Sequence, residues 1–340
     1  MRQLVQIDVE SIREAVAGVF KADGADPANA LLLANLLVDS DLAGHPSHGV
    51  YLVAQYHQAS RAGIIDPRGV PRVISDTPGP VVVVDAGRSY GQVAAQFAAA
   101  VACDRAQALG LCAVVIRNCS HVGRLANHVD LIADRGMIGI MTANYAGADL
   151  IVAPPAGREG RLSTNPFAFS VPRAQRPHLI LDMATSTLAF GALVINRRRE
   201  ATSEPNPQID NTILSAFADH KGFGLSILVE VLSGILSGAG WSNGQLVEES
   251  QGVFITAIDP EGFCGRSTLI ESVEEMVTWI KSSPPSGDEP VLVPGEAGEL
   301  ARQSSNGRVE IDPTTWDELR AVFADAQVEV PPTALTSPAQ

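Results

Sequence analysis

The sequence predicts an α/β protein in which a helical N-terminal stretch precedes a sheet-forming centre. Two observations carry this expectation. Residues 8–62 show apolar residues at helical spacing, and from residue 80 short β-branched runs alternate with helical segments. At 340 residues the chain is also long enough for two domains.

Asp8-Val-Glu-Ser opens a helix with an acidic first turn, and Ala15, Val16, Val19 and Phe20 recur along one face. Asp26-Pro27 restarts it, with Asp as cap and Pro at the first helical position. Leu31, Leu32, Leu37 and Val38 follow. Beyond the break Gly44-His-Pro-Ser-His-Gly49, a third helix carries Val50, Val53, Ala54 and Ala59 and ends at Gly63. Pro80-Val-Val-Val-Val-Asp85 reads as a buried strand, followed by a helix from Gly91 to Ala108. A strand is expected over Leu111–Ile116, a helix over 124–135, and strands over Ile138–Thr142, Phe167–Val171 and His178–Asp182. An apolar helix over Gly222–Ser237 reads as core, and Gly252–Ile258 as a late strand. Residues 282–290 read as an exposed linker and 331–340 as a frayed tail.

Apolar residues make up 46% of the chain and charged residues 18%, a globular composition. A chain of this length buries roughly three quarters of its unfolded surface and needs no metal or disulfide to fold. The net charge of −14 and pI near 4.9 make nucleic acid and anionic membranes poor partners. A phosphate site would then be built locally, from a helix N-terminus and a basic group. Cys103, Cys112, Cys119 and Cys264 form no C-x-x-C pair and read as buried thiols. The N-terminus lacks the apolar stretch of a signal peptide, and no run of eighteen residues is apolar enough to span a bilayer. A reducing, cytoplasmic setting is expected.

Four segments combine ionisable groups with glycine as active-site loops do. In Ser47-His48-Gly49 a histidine beside a hydroxyl suits a proton donor near neutral pH, or equally a solvated histidine next to a capping serine. His45 and His48 lack a third ligand, so no metal is expected. Ser120-His121-Val122-Gly123 leaves a strand where ligands bind in α/β sheets, or forms a capping turn. Asp219-His220-Lys221-Gly222 opens the apolar helix. A lysine there opposes the helix dipole unless an anion joins it, which points to a phosphate. Ser163-Thr164-Asn165-Pro166 precedes a strand, and Asp182 ends one, where it could orient a histidine or cap a turn. No G-x-G-x-x-G follows a strand and no G-x-x-x-x-G-K-[ST] occurs, so the two best-known phosphate fingerprints are absent.

Taken in order, several stretches resemble the type-2 malate/L-lactate dehydrogenase family, which reduces 2-oxo acids and cyclic imino acids. They are Asp41-Leu-Ala-Gly-His-Pro-Ser-His-Gly-Val50, Ser120-His-Val-Gly123, Gly136-Met-Ile-Gly139, Leu162-Ser-Thr-Asn-Pro-Phe-Ala-Phe169 and Leu181-Asp-Met-Ala-Thr-Ser186. His220-Lys-Gly-Phe-Gly-Leu225 through Ser233-Gly-Ile-Leu-Ser-Gly238, and Val293-Pro-Gly-Glu296, complete the set.

The resemblance implies a non-Rossmann NAD(P)-binding central α/β domain (73–296) and a discontinuous helical domain from 1–72 and about 297–340, assembled as a homodimer. NADPH or NADH would be held by Ser163, Thr164, Asn165 and Pro166, by His220, Lys221 and Gly222, and by Pro294, Gly295 and Glu296. His48 would donate the proton, positioned by Ser47 and Asp182, with His121 a second acid–base candidate. A 2-oxo acid, a related ketone or a cyclic imine is the expected substrate. A bulkier substrate lacking a carboxylate, and a non-catalytic nucleotide- or partner-binding role, are the alternatives.

Two departures stand out. Leu52 and Gln55 occupy positions where the family typically has arginines, so either another basic group, such as Arg124 or Arg302, takes a substrate carboxylate, or the substrate has none. The segment between Asp182 and His220 is shorter than usual, with Gly191-Ala192 after the strand and a basic run at Arg197-Arg198-Arg199.

Overall fold

The computed structural model describes residues 3–75, 78–147, 150–189, 191–192, 194–195, 213–243 and 250–335. Its centre is a seven-stranded sheet of order β2 (Arg72–Val73), β3 (Val81–Asp85), β4 (Leu111–Cys119), β10 (Gln251–Ile258), β5 (Ile138–Ala143), β7 (Phe167–Val171) and β8 (Leu179–Met183). Only β3 and β4 run parallel; every other neighbouring pair in this sheet is antiparallel. The last of these strands in sequence, β10, therefore sits near the middle, between β4 and β5. A small parallel pair, β6 (Val152–Ala153) with β9 (Leu214–Ser215), stands apart.

Helices α4 (Gly91–Leu109) and α5 (Ala126–Asp134) pack on the sheet. The buried face of α4 is Ala94, Ala95, Ala98, Ala99, Ala102 and Ala106, whose small side chains let the helix lie close to the strands. These residues join Val82, Val114, Ile116, Met141 and Ile255 in one core.

A second core joins both ends of the chain. It gathers α1 (Val9–Ala22), α2 (Pro27–Leu42), α3 (Leu52–Arg61) and α9 (Pro313–Asp325). Asp8 caps α1 through Ser11 N–H, and Asp26 caps α2 ahead of Pro27. Strand β1 (Val5–Asp8) lies between β11 (Arg308–Ile311) and β12 (Thr333–Leu335) in a three-stranded sheet. Three strands thus join the helices. The expected frayed tail is corrected in part: Thr333–Leu335 pairs with β1, and residues 336–340 lie outside the described part.

The apolar helix is also corrected. It forms as α6 (His220–Val229) and continues as a π-helical turn over Glu230–Ile235, but of its large apolar residues only Val229 is fully buried. Ile227, Leu228, Val231, Ile235 and Leu236 are about half exposed, while Gly222, Ser226, Glu230, Ser233 and Ser237 are buried. Small polar residues face the sheet because the helix lies tight against it: Ser233 Oγ is 2.6 Å from Thr142 Oγ1. Cys264 is exposed, whereas the other three thiols are buried as expected. Helices α7 (Arg266–Lys281) and α8 (Glu296–Ser304) flank the exposed stretch 282–290. No helix among the described residues is long and apolar enough to cross a membrane.

Inside the second core, His57 is a polar tie. Its Nδ1 lies 2.8 Å from Asp23 after α1, and its Nε2 2.9 Å from Asp325 at the end of α9. The Asp23 side chain is only 2% exposed, so removing its partner strands a buried carboxylate. His57→Leu is expected to cost roughly 3 kcal/mol in urea unfolding, and adding Asp23→Leu to recover most of it. A single variant as stable as the parent would show that the tie contributes nothing.

Candidate active site

His48 sits on a single 3-10 turn, Pro46–His48, between α2 and α3. Asp41, near the end of α2, shapes that turn by accepting Val50 N–H at 2.7 Å. A Cβ on Gly49 would fall 2.2 Å from the same carboxylate, so a side chain there would push Asp41 off Val50 N–H. Ser47 Oγ and His48 Nδ1 share a hydrogen bond of 3.0 Å.

The second histidine comes from the end of β4. Ser120 Oγ accepts Gly91 N–H at 2.8 Å and donates to Ser89 O at 3.0 Å, fastening the turn to the start of α4. A Cβ on Gly91 would meet Ser120 O at 2.1 Å. His121 then lies beside His48, rings stacked with centroids 6.0 Å apart, and its Nδ1 is 2.7 Å from Tyr56 Oη. Beneath this turn His128 is buried: its Nε2–H donates to Val122 O at 2.8 Å, while Gln96 donates to its Nδ1 at 3.1 Å.

Asp182 closes the site from β8. Its Oδ2 accepts Ala126 N–H at 2.8 Å and so caps α5, whose dipole favours an anion there. The capping reading of this residue is thus met, and the carboxylate shares the second chamber with His48. Burial pushes the His48 imidazole below its ordinary range; Asp182 opposes that push and Arg124 adds to it. Burial raises the Asp182 carboxyl despite the backbone donors of Ala126 and Leu125 and the nearby His48 and Arg124. Burial and the neighbouring His48 hold His121 down to about 3.

The loop Ser163–Pro166 forms the opposite wall. Thr185 pins it, its N–H to Thr164 O at 2.9 Å and its hydroxyl to Asn165 O at 3.0 Å. Asn165 is buried at φ +38°, with its amide nitrogen donating to Glu230 Oε1 (3.0 Å) and Ser226 O (3.2 Å). Glu230 also accepts from Asn144 (3.0 Å), from Ser242 N–H (3.2 Å) and from the Ser242 hydroxyl (2.5 Å). An ionised carboxylate only accepts, so it fixes both amides. Asn165 Oδ1 is left buried without a partner.

Between these walls runs a cleft of three adjoining chambers of about 250, 290 and 260 Å³. The first holds His48, His121, Leu52, Gln55, Tyr145 and Asn165; the second holds His48, Arg124, Asp182 and Thr164. The third runs from Arg124 and Asp182 to Pro294 and Gly295.

Of the residues singled out in the sequence, Ser47, His48, His121, Ser163, Thr164, Asn165, Pro166 and Asp182 meet in the first two chambers, and Pro294 and Gly295 line the third. Glu296 does not line the cleft; it accepts from Lys281 at 2.7 Å and from Val293 N–H at 3.1 Å. His220 and Lys221 stand exposed at the start of α6, and Gly222 is packed under Phe217, all outside the three chambers. Arg197, Arg198 and Arg199 lie outside the described residues. Tyr56, Asn144 and Glu230 were missed. Asn144 follows a buried strand directly, and Glu230 is a lone acid in an apolar helix, signals that could have marked both.

Two histidines and a buried carboxylate along an elongated cleft of an α/β fold make an acid–base site, and the family that shares the fold consists of dehydrogenases. The chain belongs to the malate/L-lactate dehydrogenase family, which matches residues 7–320. It is 29% identical over 336 residues to hydroxycarboxylate dehydrogenase B of Escherichia coli, spanning 92% of both chains. Malate dehydrogenase of Pyrococcus horikoshii superposes with a TM-score of 0.86 at 29% identity, covering 96% of this chain and 97% of that one. The Δ1-piperideine-2-carboxylate reductase of Pseudomonas syringae does so with a TM-score of 0.79 at 25% identity, covering 93% and 99%.

The buried imidazoles also set a pH limit on the fold. Burial holds His128 down at about 4 against an ordinary 6.5, so protons bind the unfolded chain first. Its stabilising contribution is complete above 6.5 and is lost as pH falls toward 4, by up to about 1.4 kcal/mol per pH unit. The unfolding midpoint should therefore drop between pH 6.5 and 4.5, with a shallower slope in His128→Gln. Equal slopes in both proteins would rule His128 out as the cause.

Proposed function

We propose that this protein transfers a hydride between NADPH or NADH and a 2-oxo acid, a related ketone or a cyclic imine, with His48 as the proton donor. The observation that carries it is the position of His48: it lies where the first two chambers meet, hydrogen-bonded to Ser47 and facing Asp182. The nicotinamide supplies the hydride when bound. The residues of the cleft fit such a molecule. Its three chambers offer room end to end, and the orphaned Asn165 Oδ1 is an acceptor that the carboxamide N–H of the ring could fill. Thr164 and Pro166 would flank the nicotinamide, with Pro294 and Gly295 toward the far end.

In this reading Ser47 holds Nδ1 of His48, leaving Nε2 to give its proton to the carbonyl oxygen or imine nitrogen. Asp182 supports the imidazolium that reduction requires and is a positioning residue. His121, held neutral and oriented by Tyr56, would hydrogen-bond the substrate. Leu52 and Tyr51 would give the substrate an apolar wall. Likeness to the piperideine-2-carboxylate reductase supports the imine as a second substrate class, and a panel from pyruvate to cyclic imines separates the two. The half-exposed face of Ile227, Leu228, Val231, Ile235 and Leu236 supports a homodimer, which sedimentation would measure. We also place the protein in the cytoplasm and divide it as 1–72 with about 297–340, and 73–296.

His48→Ala is expected to lower kcat for reduction by roughly 10²- to 10⁴-fold while the Kd for NADPH or NADH, followed by nicotinamide fluorescence, stays within about threefold. Because burial lowers the His48 pKa, reduction should quicken only as pH falls below 6.5, and Asp182→Asn should move that rise to still lower pH. An unchanged rate in His48→Ala would remove it from the mechanism.

Glu230→Gln puts a donor where four donors already converge, so one asparagine amide must turn over. Binding of NADPH or NADH should weaken roughly 3- to 10-fold, while the 3-acetylpyridine analogue, which lacks the amide N–H, binds as before. Equal losses for both ligands would assign Glu230 a purely structural part.

A further inference from the structure

We infer that Arg124 is the anchor for the substrate carboxylate, so that the preferred substrates are 2-oxo acids, or imino acids, with an uncharged side chain. This rests on the reductase reading above and names the part of the substrate that each chamber receives.

Arg124 is the guanidinium shared by the second and third chambers, and its side chain is only 11% exposed. A guanidinium offers five N–H donors. Here Nε is buried without any partner, and Nη1 reaches Asn127 Oδ1 only at 3.5 Å. Among the described residues the one carboxylate within 4.0 Å is Asp39, at 3.7 Å. Asp39 is already held by Arg302, whose Nε and Nη2 grip its two oxygens at 2.8 and 2.9 Å. That pair is closed on itself, which removes Arg302 as a free anion site. Asp182 faces the same chamber but spends its Oδ2 on Ala126 N–H.

The charge of Arg124 is already balanced by Asp182 and Asp39 nearby, but its buried Nε–H is left without an acceptor, which is costly unless a bound group fills it. The space it faces also contains His48 and Asp182. A carboxylate on Nε and its neighbouring N–H groups places the adjacent carbonyl carbon beside the proton donor, as a 2-oxo acid requires. The rest of the substrate then points into the first chamber. Its described lining includes Tyr51, Leu52, Gln55, Leu125, Tyr145 and Ile151 and has no lysine or arginine. Among the described residues a second carboxylate would find no lysine or arginine there, whereas an alkyl or ring substituent meets apolar surface.

The test compares 4-methyl-2-oxopentanoate, its neutral amide and oxaloacetate in the parent protein, Arg124→Gln and Arg124→Lys. The parent should prefer the monoacid to both others. Arg124→Gln should lose about 10- to 100-fold in kcat/KM for the acid, mostly in KM, and the preference for acid over amide should fall by about the same factor. Arg124→Lys should recover part of the loss. If Arg124→Gln instead weakens NADPH or NADH binding and leaves the acid-to-amide ratio intact, the residue serves a cofactor phosphate and the inference fails. A parent preference for oxaloacetate overturns the side-chain assignment. Should the parent neither bind cofactor nor reduce any of these compounds, the reductase reading itself falls. Calorimetric titration with oxamate still decides the anion site: bound by the parent and not by Arg124→Gln, it stands, and bound equally by both or by neither, it does not.

Discussion

The carboxylate of Asp182 is the point at which the parts of this molecule are tied together. It ends the edge strand of the main sheet, caps the helix that follows the His121 turn, and faces a histidine presented by the helical ends of the chain. A buried carboxylate is tolerated only where donors and positive charge compensate it. Ala126 N–H, the helix dipole, Arg124 and His48 supply that compensation. The same demand that stabilises Asp182 therefore fixes where His48 stands.

Two separate cores meet along this line. One is the sheet with its alanine-faced helix; the other joins the first three helices to the last. The cleft lies where they face each other, and turns from both cores line it: Pro46–His48 from one side, Ser120–Gly123 and Ser163–Pro166 from the other. Glycine at 49 and at 91 lets these turns approach their supports more closely than any side chain permits. Site geometry is thus a property of the junction. His57, joining Asp23 and Asp325 within one core, keeps the first and last helices in fixed relation beside it.

The wall opposite His48 follows a different logic. Helix α6 buries glycine, serine and one glutamate and leaves most of its large apolar residues partly exposed. Close approach to the sheet selects small residues, and the carboxylate of Glu230 then gathers two asparagines that line the cleft. A polar network of this kind specifies orientation rather than adding hydrophobic stability. It leaves one acceptor unfilled among its described residues, Asn165 Oδ1.

Local pattern made much of this legible. The sheet strands near 81, 111, 138, 167, 179 and 251, the helix caps at Asp8 and Asp26, and the glycine-flanked turns of His48 and His121 all follow from short-range periodicity and capping chemistry. The candidate roles of Ser47, His48, Asp182 and the Ser163–Pro166 loop rest instead on the ordered set of family motifs, because polar groups at strand ends and helix breaks serve equally well as caps. Other features depend on contacts distant in sequence. The central place of β10, the pairing of β12 with β1 and the meeting of Tyr56 with His121 join residues from 65 to more than 300 positions apart, which no local pattern encodes. Nor could composition say which face of α6 is buried, since periodicity gives the faces but not the distance to the sheet. Arg302 and Arg124 were equal candidates in the sequence. Only the folded chain commits the first to Asp39 and leaves the second buried with an empty donor, because charge compensation is settled by which carboxylate lies within reach.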